Sequence, residues 1–308
     1  MIINFNDNVN IKKSIVTFGN FDGVHIGHKF IINELKKISS YKKAKSILIT
    51  FNPHTNSIIN KKIDIHQLIT DYDYKIDLLD KEMIDFISIV DFNVNFSKIT
   101  YTSFVNEILQ KYNPSHILIG YDNKFGYKAE GNFESLTKYI KSISRDIKVL
   151  TLNEVKQGSM KVKSSIIKGF INSGDIKIVN KMLGRKFKLF GKIVKGNKVG
   201  NMLGFPTANL EVLNKQQIIP KVGVYYVNFV VGKNRYKSLC NIGFKPTFGN
   251  DNKLSIETHI LNEEEFDLYN LNVELEFIDY IRDEIKFKNK DFLIEQINKD
   301  IIKVNKIN

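Results

Sequence analysis

Apolar and polar positions follow two different rhythms along this 308-residue chain. Up to residue 152, short apolar runs alternate with stretches in which apolar residues recur every three or four positions. The runs predict strands at 14–18, 44–51, 86–92, 116–120 and 146–152, and the stretches predict helices at 28–39, 71–80, 102–111 and 133–143. Strict alternation of this kind predicts a doubly wound α/β domain, a parallel sheet with helices on both faces. Ligands of such sheets bind beyond the carboxyl ends of the strands.

After Leu183 the period changes. Segments 186–195, 223–231, 235–242, 255–260 and 273–281 are rich in β-branched and aromatic residues, separated by turns such as Gly232-Lys233-Asn234. With few helices between them, these strands predict antiparallel pairing and closure into a small antiparallel β-barrel. A last segment, 289–303, carries Leu293, Ile297 and Ile301 at i, i+4 and i+8, which predicts a C-terminal helix docked on the barrel. No repeat or Pro/Ser-rich linker divides the halves, so the change of period alone predicts two domains, 1–183 and 184–308. Each is long enough to bury its own core.

Composition narrows the class. Hydrophobic residues at 43% and charged residues at 26% are ordinary for a globular protein. A net charge of +13 attracts nucleic acid, membrane surfaces and anionic small molecules alike. Only four of the 46 basic residues are arginine (145, 185, 235 and 282), and the lysines are spread along the chain with no run of five basic residues. That spread is a chain-wide bias and predicts no nucleic-acid partner. The segment MIINFNDNVNIKK lacks the apolar core of a signal peptide. No apolar run reaches the roughly 18 to 20 residues of a membrane span. The expectation is a cytoplasmic protein with no membrane partner. A single cysteine, Cys240, excludes an internal disulfide and a cysteine-based zinc site, and beside Leu239 and Ile242 it reads as a buried strand residue.

Candidate chemistry begins with GNFDGVHIGH, Gly19 to His28, between the first strand and the first helix. Two imidazoles three positions apart at a helix start, His25 and His28, can converge on one anion, because free backbone N–H groups and the positive dipole end favour phosphate there. Gly19, Gly23 and Gly27 allow close approach of backbone to ligand. Two surface histidines without a task give the same tetrapeptide; the strand before it, the Phe21-Asp22-Gly23 ahead of it and the helix behind it favour a nucleotide site.

In the second half, Gly196, Gly200 and Gly204 precede Phe205-Pro206-Thr207-Ala208-Asn209. A glycine-rich turn can fold its N–H groups around a polyphosphate. Thr207 and Asn209, two apart on a strand, share a face and can offer oxygen ligands to one Mg²⁺. A turn with a capping threonine is the simpler account of that spacing taken alone. Glu257 and His259 also share a strand face, and a carboxylate beside bound nucleotide can accept the proton of an attacking hydroxyl. A solvated strand face gives the same alternation.

Taken in order, these motifs resemble the bacterial bifunctional riboflavin kinase/FMN adenylyltransferase family, also called FAD synthetase, over nearly the whole chain. The similar segments are GNFDGVHIGH, Thr50-Phe51-Asn52-Pro53-His54, Ile119-Gly120-Tyr121-Asp122 with Phe125-Gly126, and Leu183-Gly184-Arg185. In the second half they are Gly204 to Leu210, Gly223-Val224-Tyr225, Asn241-Ile242-Gly243 with Pro246 to Gly249, Glu257 with His259, Asp267-Leu268-Tyr269, and Arg282 with Glu284 and Phe287.

The resemblance implies two successive reactions on small-molecule substrates. Riboflavin and ATP give FMN in the C-terminal domain, with Thr207 and Asn209 holding Mg²⁺-ATP and Glu257 as general base. FMN and a second ATP give FAD and pyrophosphate in the N-terminal domain. There His25 and His28 act on the phosphates, Gly19, Phe21, Asp22 and Gly27 hold nucleotide, and Asp122 lies on the flavin side. Arg282 is implied as a flavin contact in the kinase half.

The chain departs from the family at its second phosphate motif, SSTxIR, where Lys163-Ser164-Ser165-Ile166-Ile167-Lys168 stands. Ser164 and Ser165 keep two hydroxyls, but Lys168 replaces the arginine and loses its planar fork. Lys163 and Lys168 are expected to replace part of the missing donor set on the triphosphate. Asn52 and Asn123 replace an aspartate and an aromatic residue, and Asn201 a frequent arginine. Two other readings remain. His25-Ile26-Gly27-His28 is also the signature of class I aminoacyl-tRNA synthetases, with Lys161 to Ser165 loosely similar to their second loop, although the C-terminal β-module has no place there. The N-terminal half is alternatively a catalytically impaired scaffold or regulator attached to a riboflavin kinase.

Overall fold

The five residues of Ser14–Phe18 are all buried, the pattern of a strand in the middle of a parallel sheet covered on both faces. The computed structural model describes residues 1–59, 68–143, 146–195, 205–245, 253–261 and 268–307. The chain divides into two compact units, Met1–Ser164 and Ser165–Asn308.

In the N-terminal unit the sheet strands are β1 (Ile2–Asn4), β2 (Ser14–Phe18), β3 (Lys45–Asn52), β4 (Phe86–Asp91), β5 (Pro114–Gly120) and β6 (Lys148–Leu152). All neighbours are parallel, in the order β1-β4-β3-β2-β5-β6. The order reverses at β2, so the switch point of the sheet lies between the carboxyl ends of β2 and β5. Helices α1 (Ile26–Lys42) and α3 (Tyr72–Asp80) bury Ile32, Leu35, Leu78 and Leu79 on one face. Helices α4 (Tyr101–Tyr112) and α5 (Phe133–Ser142) bury Phe104, Ile108, Tyr112, Leu136 and Ile140 on the other. Short α2 (Thr55–Ile59) follows β3, and a small hairpin, β7 (Lys156–Gln157) with β8 (Met160–Lys161), closes the unit. Helix starts are capped as their sequences imply: Asp71 accepts from Tyr74 N–H at 2.7 Å and Thr100 from Ser103 N–H at 3.2 Å.

The C-terminal unit opens with α6 (Ser164–Ser173) and α7 (Ile176–Leu183), which the period of the sequence did not announce. Then β9 (Phe187–Val194), β10 (Ala208–Val212), β11 (Gly223–Val231), β12 (Asn234–Lys245), β13 (Lys253–Ile260) and β14 (Asn272–Arg282) form a closed antiparallel barrel in the order β10-β13-β12-β11-β14-β9. Strand β9 alternates buried and half-buried positions along its length, as a barrel requires. Phe187, Leu189, Tyr225, Phe229, Cys240, Leu275 and Phe277 are fully buried. Burial pushes the Cys240 thiol up to about 12, so it stays protonated and inert.

Helix α8 (Lys290–Asn305) covers a second apolar cluster of Val224, Tyr226, Leu239 and Ile281, reaching it through Ile301 and Val304; Leu293 and Ile297 are half-buried. The seam also holds a charge pair. The Arg282 guanidinium binds the buried Asp300 carboxylate at 2.8, 2.9 and 3.1 Å, with Gln296 donating to the same carboxylate at 2.9 Å. Removing one member of such a pair strands the other. Asp300→Ala is expected to destabilise the C-terminal unit by about 3 kcal/mol, read as a lowered melting transition.

Candidate functional site

The turn after β2 runs through backbone conformations that L-residues rarely adopt. Phe21, Gly23 and Val24 have φ of 51°, 82° and 36°. Each non-glycine there costs of the order of 1–3 kcal/mol and persists only where its surroundings over-determine it. Here they do. The buried Asp22 carboxylate accepts from Ile69 N–H at 2.9 Å and Thr70 N–H at 3.4 Å. Gly23 N–H donates to the Thr70 hydroxyl at 3.2 Å. The Asn20 carboxamide meets Thr55 through both ends, at 2.9 and 3.3 Å. The Ser164 hydroxyl donates to the Asp22 carbonyl at 3.0 Å.

This turn delivers His25 as the N-cap of α1. Its Nδ1 accepts from His28 N–H at 3.2 Å, so the neutral imidazole carries its proton on Nε2 as a donor. The two histidine rings stack, with centroids 3.6 Å apart and planes 16° apart, and the Phe21 ring meets His28 edge-on at 5.1 Å. A Cβ on Gly27 would stand 3.1 Å from the His25 ring, so glycine leaves room for the pair. The stacked imidazoles stand at a helix N-terminus, whose positive dipole end favours anions.

At the carboxyl ends of β2, β3, β4 and β5 opens a cavity of about 1030 Å³. Phe18, Phe51, Phe92, Phe96, Phe104 and Phe125 line it, with Gly19, Asn20 and Asn123 at its polar side. The Asn123 carboxamide donates to the Phe18 carbonyl at 3.0 Å and ties the β5 loop to β2 at the switch point. Apolar walls with a few convergent amides suit a flat aromatic ligand. In the sequence Phe51 and Phe125 entered only through the resemblance and the others were not singled out, because a ring lining a slot and a ring filling a core follow the same period.

Asp122 lies on the loop after β5, paired with Lys163 at 2.7 Å. Lys163 also stands 4.9 Å from the Tyr121 ring centroid. Hydrogen bonding to Asp122 and Tyr121 holds its ammonium well above the usual lysine range. Ser165 and Lys168 lie on α6 in the C-terminal unit.

In the C-terminal unit the backbone register builds a row. Asn209 of β10 faces Glu257 of β13, which faces Asn241 of β12; directly opposed residues share a face. The Thr207 hydroxyl donates to Glu257 Oε2 at 3.4 Å and the Ser255 hydroxyl to Oε1 at 3.2 Å. Asn241 Nδ2 donates to Glu284 at 3.4 Å. His259 Nδ1 meets the Pro206 carbonyl oxygen at 2.9 Å, and the Phe205 ring lies edge-on to His259 at 5.4 Å, which fixes the segment leading to Thr207. Asn241 entered the sequence analysis only through the Asn241-Ile242-Gly243 resemblance; the register brings it beside Glu257. Arg282 stands with Asp300 and 6.0 Å from the Phe287 ring. Gly196, Gly200, Asn201, Gly204 and Pro246 to Gly249 lie outside the described residues.

Fold and site define a class: a parallel α/β unit whose second strand leads into a histidine-capped helix, followed by a small closed antiparallel barrel with an acid and oxygen donors in a row. Residues 7–166 match the family model for FAD synthetase and residues 183–308 that for riboflavin kinase. A bifunctional riboflavin kinase/FMN adenylyltransferase of Buchnera aphidicola from Schizaphis graminum is 35% identical over 305 residues, 96% of both chains. That of Listeria monocytogenes is 32% identical over 286 residues, 93% of this chain and 90% of its own. A solved structure described as a macrolide-efflux protein from Streptococcus pneumoniae has TM-score 0.89 at 26% identity, covering 100% of this chain and 99% of that one. No described helix here is long and apolar enough to cross a membrane. The chain belongs to the bifunctional riboflavin kinase/FMN adenylyltransferase family.

The geometry makes Asp22 a support of the turn. Asp22→Ala removes an acceptor of two buried N–H groups and is expected to cost the N-terminal unit about 2 kcal/mol, measured as an earlier denaturant midpoint of its transition.

Proposed function

We propose that this chain converts riboflavin to FMN in its C-terminal unit and FMN to FAD in its N-terminal unit, with ATP as the other substrate in both. The second activity is carried by the stacked His25–His28 pair at the start of α1 together with an aromatic cavity at the carboxyl ends of the sheet strands.

In the kinase reaction the riboflavin 5′-hydroxyl attacks the γ-phosphorus of ATP, Glu257 takes the hydroxyl proton and ADP leaves. Thr207, Asn209 and Glu257 offer oxygen and no sulfur or nitrogen, which suits a hard cation such as Mg²⁺. When bound, that ion would be held by Thr207 and Asn209 and would offset the phosphate charge.

In the adenylyl transfer a phosphate oxygen of FMN attacks the α-phosphorus of ATP and pyrophosphate leaves. Phosphate is already nucleophilic, so no protein nucleophile is needed. The site aligns the reactants and stabilises charge on the α-phosphoryl oxygens and leaving group. The Nε2–H of His25, the His28 ring and the N–H groups at the start of α1 supply that, while the phenylalanine-lined cavity takes the isoalloxazine ring. Gly19, Phe21 and Gly27 shape the turn and Ser164 fastens it. Lys163 supplies charge to the triphosphate; an ammonium with three donors can keep Asp122 and present another N–H. We place both reactions in the cytoplasm, which supplies ATP and keeps a lone cysteine reduced.

A chromatographic time course with riboflavin, ATP and Mg²⁺ is expected to show FMN rising and then giving way to FAD. Glu257→Gln should cut FMN formation at least about 100-fold and spare FAD formation from supplied FMN; His28→Ala should do the reverse. FMN accumulating without FAD, even when FMN is supplied, would leave a riboflavin kinase with an impaired N-terminal half. Lys163→Met is expected to raise KM for ATP in FAD formation roughly threefold to tenfold. An unchanged KM removes Lys163 from the phosphate site.

A further inference from the structure

One buried cation in the N-terminal unit has no part in the mechanism above. Lys75, on α3, is 6% exposed. Its side chain runs past the Tyr72 ring, 5.6 Å from the centroid. The ammonium donates to the Phe51 carbonyl at 3.0 Å, the Thr50 hydroxyl at 3.2 Å and the Asn20 carbonyl at 3.4 Å. The Thr50 hydroxyl itself donates to the Asn20 carbonyl at 3.2 Å. Three ammonium donors thus meet three neutral acceptors, two of them carbonyls. Those carbonyls belong to different walls of one site. Asn20 lies in the glycine turn that leads to His25, Phe51 ends β3, and both line the aromatic cavity.

We propose that Lys75 is a positioning residue for adenylyl transfer: its charged ammonium locks the glycine turn to the end of β3, holding the phosphate seat and the flavin cavity in one geometry. The inference rests on the adenylyltransferase reading above. A neutral amine keeps only two N–H groups and must release one acceptor, so the lock depends on protonation. Burial lowers Lys75 to about 8, opposed by the charge of Asp22. Among the described residues, the titratable groups facing it are Asp22 from the turn and Tyr72 from its own helix, and β3 contributes Thr50 and Phe51. Burial raises Tyr72, so that phenol stays neutral where Lys75 titrates. Deprotonation as pH rises through about 8 therefore loosens the turn in the free enzyme, and bound phosphate favours the charged form and moves the loss upward.

The test is the initial rate of FAD formation from supplied FMN and ATP across pH, with riboflavin phosphorylation followed in the same samples. Wild-type kcat/KM for FAD formation should fall on the alkaline side with a midpoint near 8, and the corresponding limb in kcat should lie higher. Lys75→Met should lower kcat/KM at pH 7 by roughly 10- to 100-fold and leave phosphorylation intact. Lys75→Arg, whose guanidinium stays charged, should restore part of the rate and abolish the alkaline limb. A wild-type profile without that limb, or the same limb in Lys75→Arg, overturns the inference while FAD is still made. Absence of FAD from the wild type at every pH overturns the adenylyltransferase reading, and this inference with it.

Discussion

The N-terminal unit is organised around one constraint: a seven-residue passage from the centre of a parallel sheet into a helix, held partly in left-handed backbone. Phe21 and Val24 would relax if the turn were left alone. It is gripped by Asp22 through Ile69 and Thr70, by Thr55 through Asn20, and by Ser164 through the Asp22 carbonyl. These partners, Thr55, Ile69, Thr70 and Ser164, come from segments far apart in the chain, so the turn is fixed by tertiary contacts. Strain in the turn and convergence of the loops are one arrangement: the hydrogen bonds that enforce the first produce the second.

The same economy explains a buried lysine. Keeping Lys75 charged at neutral pH, against a drop from 10.5 to about 8, costs roughly 3 kcal/mol. Methionine would fill a similar volume without that penalty. A fold selected only for stability has no use for an ammonium there; a fold that must hold two carbonyls at a fixed spacing does.

Much of this was legible in the sequence. Local periodicity reports which strands sit in a sheet covered on both faces, as at Ser14–Phe18, and the barrel strands announced themselves by their β-branched and aromatic content. His25 and His28 were legible because a helix start is a local event, although the helix begins at Ile26 with His25 as its cap. Lys75 was not: its acceptors lie 24, 25 and 55 residues away, and no spacing rule links them. Nor was the place of Asn241 beside Glu257, which only the antiparallel register gives. Asp300, the counter-ion of Arg282, was not singled out either, because no local pattern links it to a residue on a distant strand. Helices α6 and α7 were hidden because the sequence passes from one domain to the next without a change of composition.

Closure of the barrel bears on the order in which the protein can be made. Phe187 opens β9 and pairs with Phe277 of β14, and the partner of Arg282, Asp300, comes later still. A chain emerging from the ribosome holds every strand of the parallel sheet before the first barrel strand appears. The second unit must wait with β9 lacking one neighbour until β14 arrives. During that interval an apolar strand edge is open to other chains.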